Sequence, residues 1–357
     1  RAFINIPRIL ERIPACDMLS LTGKRLLTAC LQCTGSIGMA REISPHAIRT
    51  WFSGCIDKDE IERAAPGITR SFSQIAEPLM RFFPSHVLAS YEVALPLSTL
   101  LDLAGHLLRS ATPGLHERVR ESMDEFAAAY DFDPHAASLQ SLGGATAFAW
   151  LPVSDAGPGR WPFPRVVVLA RVRDKEKTDR LLSAMAEWIT GSMAPFSEGV
   201  FGARQVKEDF EGVRLTGMEV DSLLSFPMPS PTFACVDDLL IVSPVRSAVK
   251  EMISALLGRT PRLEQTGVCP PQALEHIYWN PPAWAEGFKR GWAFAVSSSS
   301  LVFLNTRYLY DVQRELQKMN RMGEVFFRFL EHLDPAEGST TLDENGRFTF
   351  YMEIPVR

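Results

Sequence analysis

Ser247-Ala248-Val249-Lys250 places a lysine one helical turn after a serine, the spacing at which an amine serves as base for a hydroxyl nucleophile in penicillin-recognising enzymes. The partner motifs of such a site, Ser-Asp-Asn and Lys-Thr-Gly, do not follow, so the pair reads as the solvated face of a helix. Asp237-Asp238 offers two carboxylates for acid/base work, but adjacent residues in a tight turn diverge and Asp favours turns, so turn chemistry is the reading. His116-Glu117 is followed by Arg118-Val119-Arg120, which omits the second imidazole of a zinc-protease helix. Neither glycine cradle for phosphate occurs, and Gly35-Ser36-Ile37-Gly38 lacks the glycine spacing of a nucleophile elbow. The histidines at 46, 86, 106, 116, 135, 276 and 332 form no i, i+4 pair. From the sequence, therefore, no catalytic residue, metal site or cofactor is assigned. The chain reads as non-enzymatic, with a hydrolase whose site is assembled only by folding as the least favoured alternative.

Four of the six cysteines, Cys16, Cys30, Cys33 and Cys55, fall in the first 55 positions. Cys30-x-x-Cys33 is half of a zinc motif without its second half, and on a strand those two residues point to opposite faces. Packed thiols are the leading reading, with one disulfide or a metal as alternatives. A balance of 37 basic against 42 acidic residues, net −5, gives no general electrostatic reason to bind nucleic acid. The longest apolar runs, such as Val166 to Ala170, are far below the roughly 18 residues of a membrane span, so no transmembrane segment is expected. The opening Arg-Ala-Phe without methionine suggests an excerpt or processed product, with any signal or anchor out of view.

Aromatic residues concentrate in Trp161-Pro162-Phe163-Pro164 and from His276 to Phe294. Asn280-Pro281-Pro282 forbids regular helix through that point, which places Tyr278, Trp279 and Trp284 on an irregular connection. Flat amphipathic rings on such a connection can form an adhesive surface, so Tyr278, Trp279, Trp284 and Trp161 are the candidate ligand- or partner-binding residues. The alternative is a long connection that covers the end of the core and buries its own rings.

The elements that must carry these residues repeat. Ala2-Phe3-Ile4-Asn5 near the start matches Val302-Phe303-Leu304-Asn305 near the end, each a short strand turning into a helix. Gly35 to Met39 and Gly338 to Leu342 then open hairpins. Phe348, Phe350, Met352 and Ile354 alternate with Thr349, Tyr351 and Glu353 as a half-buried strand, and Ile48, Trp51, Phe52 and Ile56 are its looser counterpart. Between them, strands are expected over 87–93, 145–151, 165–172, 213–218, 232–236 and 239–242, with helices over 98–108 and 175–189. The best-marked helix has Ser243 as N-cap, Pro244 at its first position, a stripe of Val249, Met252, Ile253, Leu256 and Leu257, and Gly258 as C-cap. The fold class expected is α+β: repeated strand-helix-hairpin units, a mostly antiparallel sheet, and helices packed on one face. Three segments follow: an N-terminal repeat unit over 1–70, incomplete at its start; a central pair of strand-helix units over 71–270; and an aromatic connection with the C-terminal repeat unit over 271–357.

Leu142-Gly143-Gly144 opening a strand, the Val-rich strand 166–172, and Phe233 to Ser243 as a hairpin leading into a helix resemble a group of bacterial extracytoplasmic proteins catalogued as a domain of unknown function. The resemblance covers 83–357. It implies a periplasmic or other extracytoplasmic location and a repeated α+β fold, and it carries no catalytic residue. The function expected is a non-enzymatic envelope protein that binds or scaffolds another envelope component, whether protein, glycan or lipid. The alternative is a carrier that holds an apolar ligand in a curved sheet, motivated by 12 Met and 22 Phe.

Overall fold

The structure, a computed structural model, describes residues 2–4, 34–56, 58–64, 75, 77–131, 141–153, 163–193, 201–222, 230–263, 273–289, 291, 309–343 and 345–357. Thirteen strands form one open sheet: β1 Ala2–Ile4, β2 Thr34–Ile43, β3 Ala47–Ile56, β4 Ala89–Val93, β5 Leu142–Leu151, β6 Arg165–Val172, β7 Phe201–Phe210, β8 Val213–Ser222, β9 Thr232–Val236, β10 Leu239–Ser243, β11 Ala273–Trp279, β12 Ala336–Leu342 and β13 Arg347–Pro355. Their order is β1-β2-β3-β13-β12-β11-β4-β5-β6-β10-β9-β8-β7, and neighbouring strands pair antiparallel throughout. The helices are α1 Lys58–Ala64, α2 Leu97–Ala111, α3 Pro113–Tyr130, α4 Lys175–Met193, α5 Arg246–Leu256 and α6 Leu309–Glu331, with a further helical segment over 281–289.

This corrects the expected fold class. Among the described residues the chain builds, in place of repeated strand-helix-hairpin units with helices on one face, a single continuous, strand-rich antiparallel sheet with helices on both faces. Strands β7 to β10 follow one another as a meander, with no helix between them among the described residues. Helix α5 buries Val249, Met252 and Ile253 against Ala147, Ala149, Val167, Leu169, Ala234, Val236, Leu239 and Ile241. Cys235, between Ala234 and Val236 on β9, points the other way and meets Asp179 of α4. Helices α4 and α5 therefore lie on opposite faces. The cause is legible in β10, where Leu239, Leu240 and Ile241 are all buried: a strand apolar on both faces needs cover on both. Each such side chain contributes about 1.5–3 kcal/mol on burial.

Other elements differ from their expected bounds for identifiable reasons. Helix α5 begins at Arg246 instead of Pro244, because Val245 is extended at φ −132. The Ser243 hydroxyl still serves the entry, accepting Val245 N–H at 3.0 Å and donating to the Val166 carbonyl at 2.7 Å. Gly258 does close the helix at φ 72, and the Asp237-Asp238 turn is present with Asp237 at φ 51. Asn280-Pro281-Pro282 starts a helix: the Asn280 side chain accepts Ala283 N–H at 3.2 Å, its carbonyl accepts Trp284 N–H at 2.9 Å, and the prolines occupy the first turn, where they lose no bond. On β3, Trp51 pairs Tyr351 and faces away from Ile48 and Phe52, so it leaves the apolar set assigned to it. Cys55 and Cys235 are free thiols, whereas Cys16, Cys30, Cys33 and Phe303 lie outside the described residues.

Candidate functional site

The described rings singled out from the sequence divide between the two faces of the sheet. Tyr278 and Trp279 are consecutive on β11 and point oppositely. Tyr278, 7% exposed, joins the core beneath α5, and burial raises its hydroxyl pKa although a hydrogen bond with Asn280 opposes the shift. Trp279 packs on the other face with Trp284 and Phe288 against Phe327, Leu330 and Leu333. Trp284 and Phe288 stack with ring centroids 3.8 Å apart. The structure thus brings Trp279 and Trp284 together and separates them from Tyr278; Trp161 lies outside the described residues.

The serine and lysine of α5 also part company. Ser247 Oγ accepts a hydrogen bond from Arg165 at 3.2 Å, while Lys250 Nζ donates to Glu208 of β7 at 2.5 Å. Arg165, 5% exposed, reaches Glu251 at 2.7 Å, and the other Glu251 oxygen meets His86 Nε2 at 2.5 Å. Burial pushes the Glu251 carboxyl up, but His86 and Arg165 outweigh it and hold the group below the ordinary range. Asp238 pairs with Arg171 at 2.6 Å, which leaves the tandem aspartates as a turn and a surface ion pair.

A different constellation emerges from register on β2, β3, β13 and β12. Ala40, Trp51, Tyr351 and Ser339 form one row across these strands, flanked by a row of Glu42, Arg49, Glu353 and Glu337 and by Gly38, Ser53, Thr349 and Thr341. Ile48 and Ile354, which alternate with these residues, point to the opposite face and pack beneath α6. Among the described residues, no hydrophobic cluster takes in a side chain of β2, β3, β12 or β13 on the Trp51 face. Among the described residues it is a polar sheet face with an aromatic pair at its centre.

Its geometry is ordered. The rings of Trp51 and Tyr351 lie 5.6 Å apart at 42°. Arg49 grips Glu353 with two bonds, 3.1 and 3.3 Å, and reaches Glu42 at 3.6 Å. Tyr351 Oη donates to Glu353 at 2.6 Å. The hydrogen bonds from Arg49 and Tyr351 lower the Glu353 pKa, and the bond to Glu353 raises that of Tyr351. Tyr351 remains 37% exposed, and the Arg49 and Glu353 side chains 40% and 38%, so solvent or a ligand reaches all three. The central row continues through His276, opposite Ser339, to Glu92, and both are buried. Glu92 accepts the backbone N–H groups of Leu79 at 2.8 Å and Met80 at 3.2 Å. Burial raises its pKa against the pull of those bonds, His276 and Arg171. His276 Nε2 stands 3.6 Å from Glu337.

Sequence reasoning separated Thr349, Tyr351 and Glu353 as the outward set of β13 but did not place Arg49 and Trp51 opposite them. The Arg-x-Trp-x-Ser alternation of β3 carries that signal, and only the cross-strand register turns it into a surface. No protein-family model, curated protein or solved structure matches this chain.

Proposed function

We propose that the chain is a non-enzymatic binding protein of the bacterial cell envelope and that the open face of β2, β3, β13 and β12 holds a wall glycan. The Trp51-Tyr351 pair supports this reading most directly. The half-buried Trp51 and exposed Tyr351 rings offer flat apolar surface to the C–H faces of a sugar, and the neighbouring Arg49, Glu353, Glu42 and Glu337 supply both donors and acceptors for its hydroxyls. Three carboxylates against one guanidinium disfavour a phosphate backbone as the occupant. The envelope location rests on the resemblance described above.

Co-sedimentation of the purified chain with insoluble cell-wall polysaccharide tests the proposal. Trp51→Ala should weaken binding by about tenfold, the worth of an aromatic contact of about 1.5 kcal/mol, with the chain still folded by circular dichroism. Failure of the wild-type chain to sediment, or equal binding by Trp51→Ala, contradicts it.

A second reading, scaffolding of another envelope protein, has its own observation. Leu115, Val119 and Met123 form an exposed stripe on α3 at four-residue spacing, and Val325, Phe326 and Phe329 another on α6.

A further inference from the structure

Beyond the glycan reading and independent of it, the geometry points to a second site: the cleft between α4 and strands β7 to β9 binds a small zwitterion, an amino acid or short peptide. The cleft encloses about 670 Å³, within the roughly 300–1,000 Å³ typical of small-molecule sites. Lys175 and Asp179 line it from α4, Lys207 and Asp209 from β7, and Phe233 and Cys235 from β9. Register carries Lys207, Thr216 and Phe233 in one line across the sheet face that α4 covers.

The ligand class follows from the charges. Lys175 and Lys207 make no ion pair or hydrogen bond among the described residues, so two ammonium groups stand available at the cleft wall. Asp179 holds the Cys235 thiol, and Asp209 lies 3.8 Å from Arg214. Glu211 and Asp237 line the cleft as well, so a simple anion would gain the lysines but meet four carboxylates, and a simple cation would gain the carboxylates but meet the lysines and Arg214. A molecule bearing a carboxylate and an ammonium satisfies both signs, with its side chain against the Phe233 ring. The site holds its ligand without attacking it. Burial, then the charge and hydrogen bond of Asp179, push the Cys235 thiol up to about 12 despite Lys175, so no thiolate nucleophile is present near neutral pH.

Titration calorimetry of the full chain with L-phenylalanine, N-acetyl-L-phenylalanine and L-phenylalaninamide tests the assignment, since each capped compound lacks one charge. The free amino acid should bind with Kd of about 1 mM or tighter, and each capped compound about tenfold more weakly or worse. Lys207→Met should weaken the free amino acid but leave the amide unchanged, and Trp51→Ala should leave all three unchanged, which separates this site from the glycan face. Lys207 is exposed, so the variant should fold; Lys175→Met is the second variant and should act in the same sense. Absence of heat with all three compounds, equal binding of the N-acetyl compound, or unaltered affinity in both lysine variants overturns the proposal.

Discussion

Replacing Glu92 tests how the centre of the sheet is held. The side chain is fully buried, and its two oxygens accept the Leu79 and Met80 N–H groups at the start of a short 3-10 turn. Hydrogen bonds to a charged group contribute about 1.5–3 kcal/mol each, so losing two removes about 3–6 kcal/mol. The native carboxylate bears a burial penalty, expressed in its raised pKa, that Ala escapes. The net expected loss for Glu92→Ala is about 2–4 kcal/mol, read as a lower urea midpoint at pH 7. Gln keeps one acceptor but turns its NH2 toward a backbone N–H, so Glu92→Gln should lose less, about 1–2 kcal/mol. The pH dependence has a definite sign. A carboxyl whose folded pKa is raised contributes stability that is complete below its unfolded value near 4.5 and is lost as pH rises through the folded value. Glu92→Gln removes that dependence, so its deficit against wild type should widen as pH is lowered through the folded value toward 4.5. A Glu92→Ala chain within about 0.5 kcal/mol of wild type, or a Gln deficit that narrows on acidification, refutes the reasoning.

Arg165→Met should cost about 3–5 kcal/mol by urea unfolding, because it leaves the partly buried Glu251 with only His86. The Glu251 contribution, from a carboxyl held below its usual range, is present above pH 4.5 and should fade as pH falls through its folded value, a trend that Glu251→Gln abolishes. Iodoacetamide at pH 7.5 should alkylate the exposed Cys55 but spare Cys235, whose thiol is pushed up to about 12, as peptide mass mapping would show. Gly217→Ala should lose about 1–3 kcal/mol, since its Cβ would stand 2.6 Å from Thr232 Oγ1 and 2.8 Å from the Pro231 carbonyl.

The legible parts of the fold are those set by local pattern. Strand 165–172 agrees with its expected bounds, and α4 and the alternation of β13 emerge from side-chain periodicity alone. What periodicity does not contain is which strands meet. The pairing of β3 with β13 joins residues some 300 positions apart, as in the Arg49-Glu353 bond, and no local signal specifies it. The continuous apolar run of β10 signals burial on two faces, which is why helices on one face alone did not suffice. Asn280-Pro281-Pro282 shows a different ambiguity: the same prolines that break a helix interior open a helix when an Asn precedes them. The open polar face was half legible, its β13 side in the outward Thr349, Tyr351 and Glu353, its β3 side hidden because Trp51 resembles a core residue by composition. The cleft beside α4 depends on β7, whose segment Phe201–Phe210 is rich in charge and weakly alternating and so carries little local strand signal.

Hydroxyl-radical footprinting of the full chain, with and without soluble cell-wall glycan strands, tests the central proposal at the residues themselves. Oxidation of Trp51 and Tyr351 should fall severalfold at saturating glycan while Val325, Phe326 and Phe329 on α6 stay unchanged. Undiminished oxidation of both rings at glycan concentrations that saturate binding would contradict it.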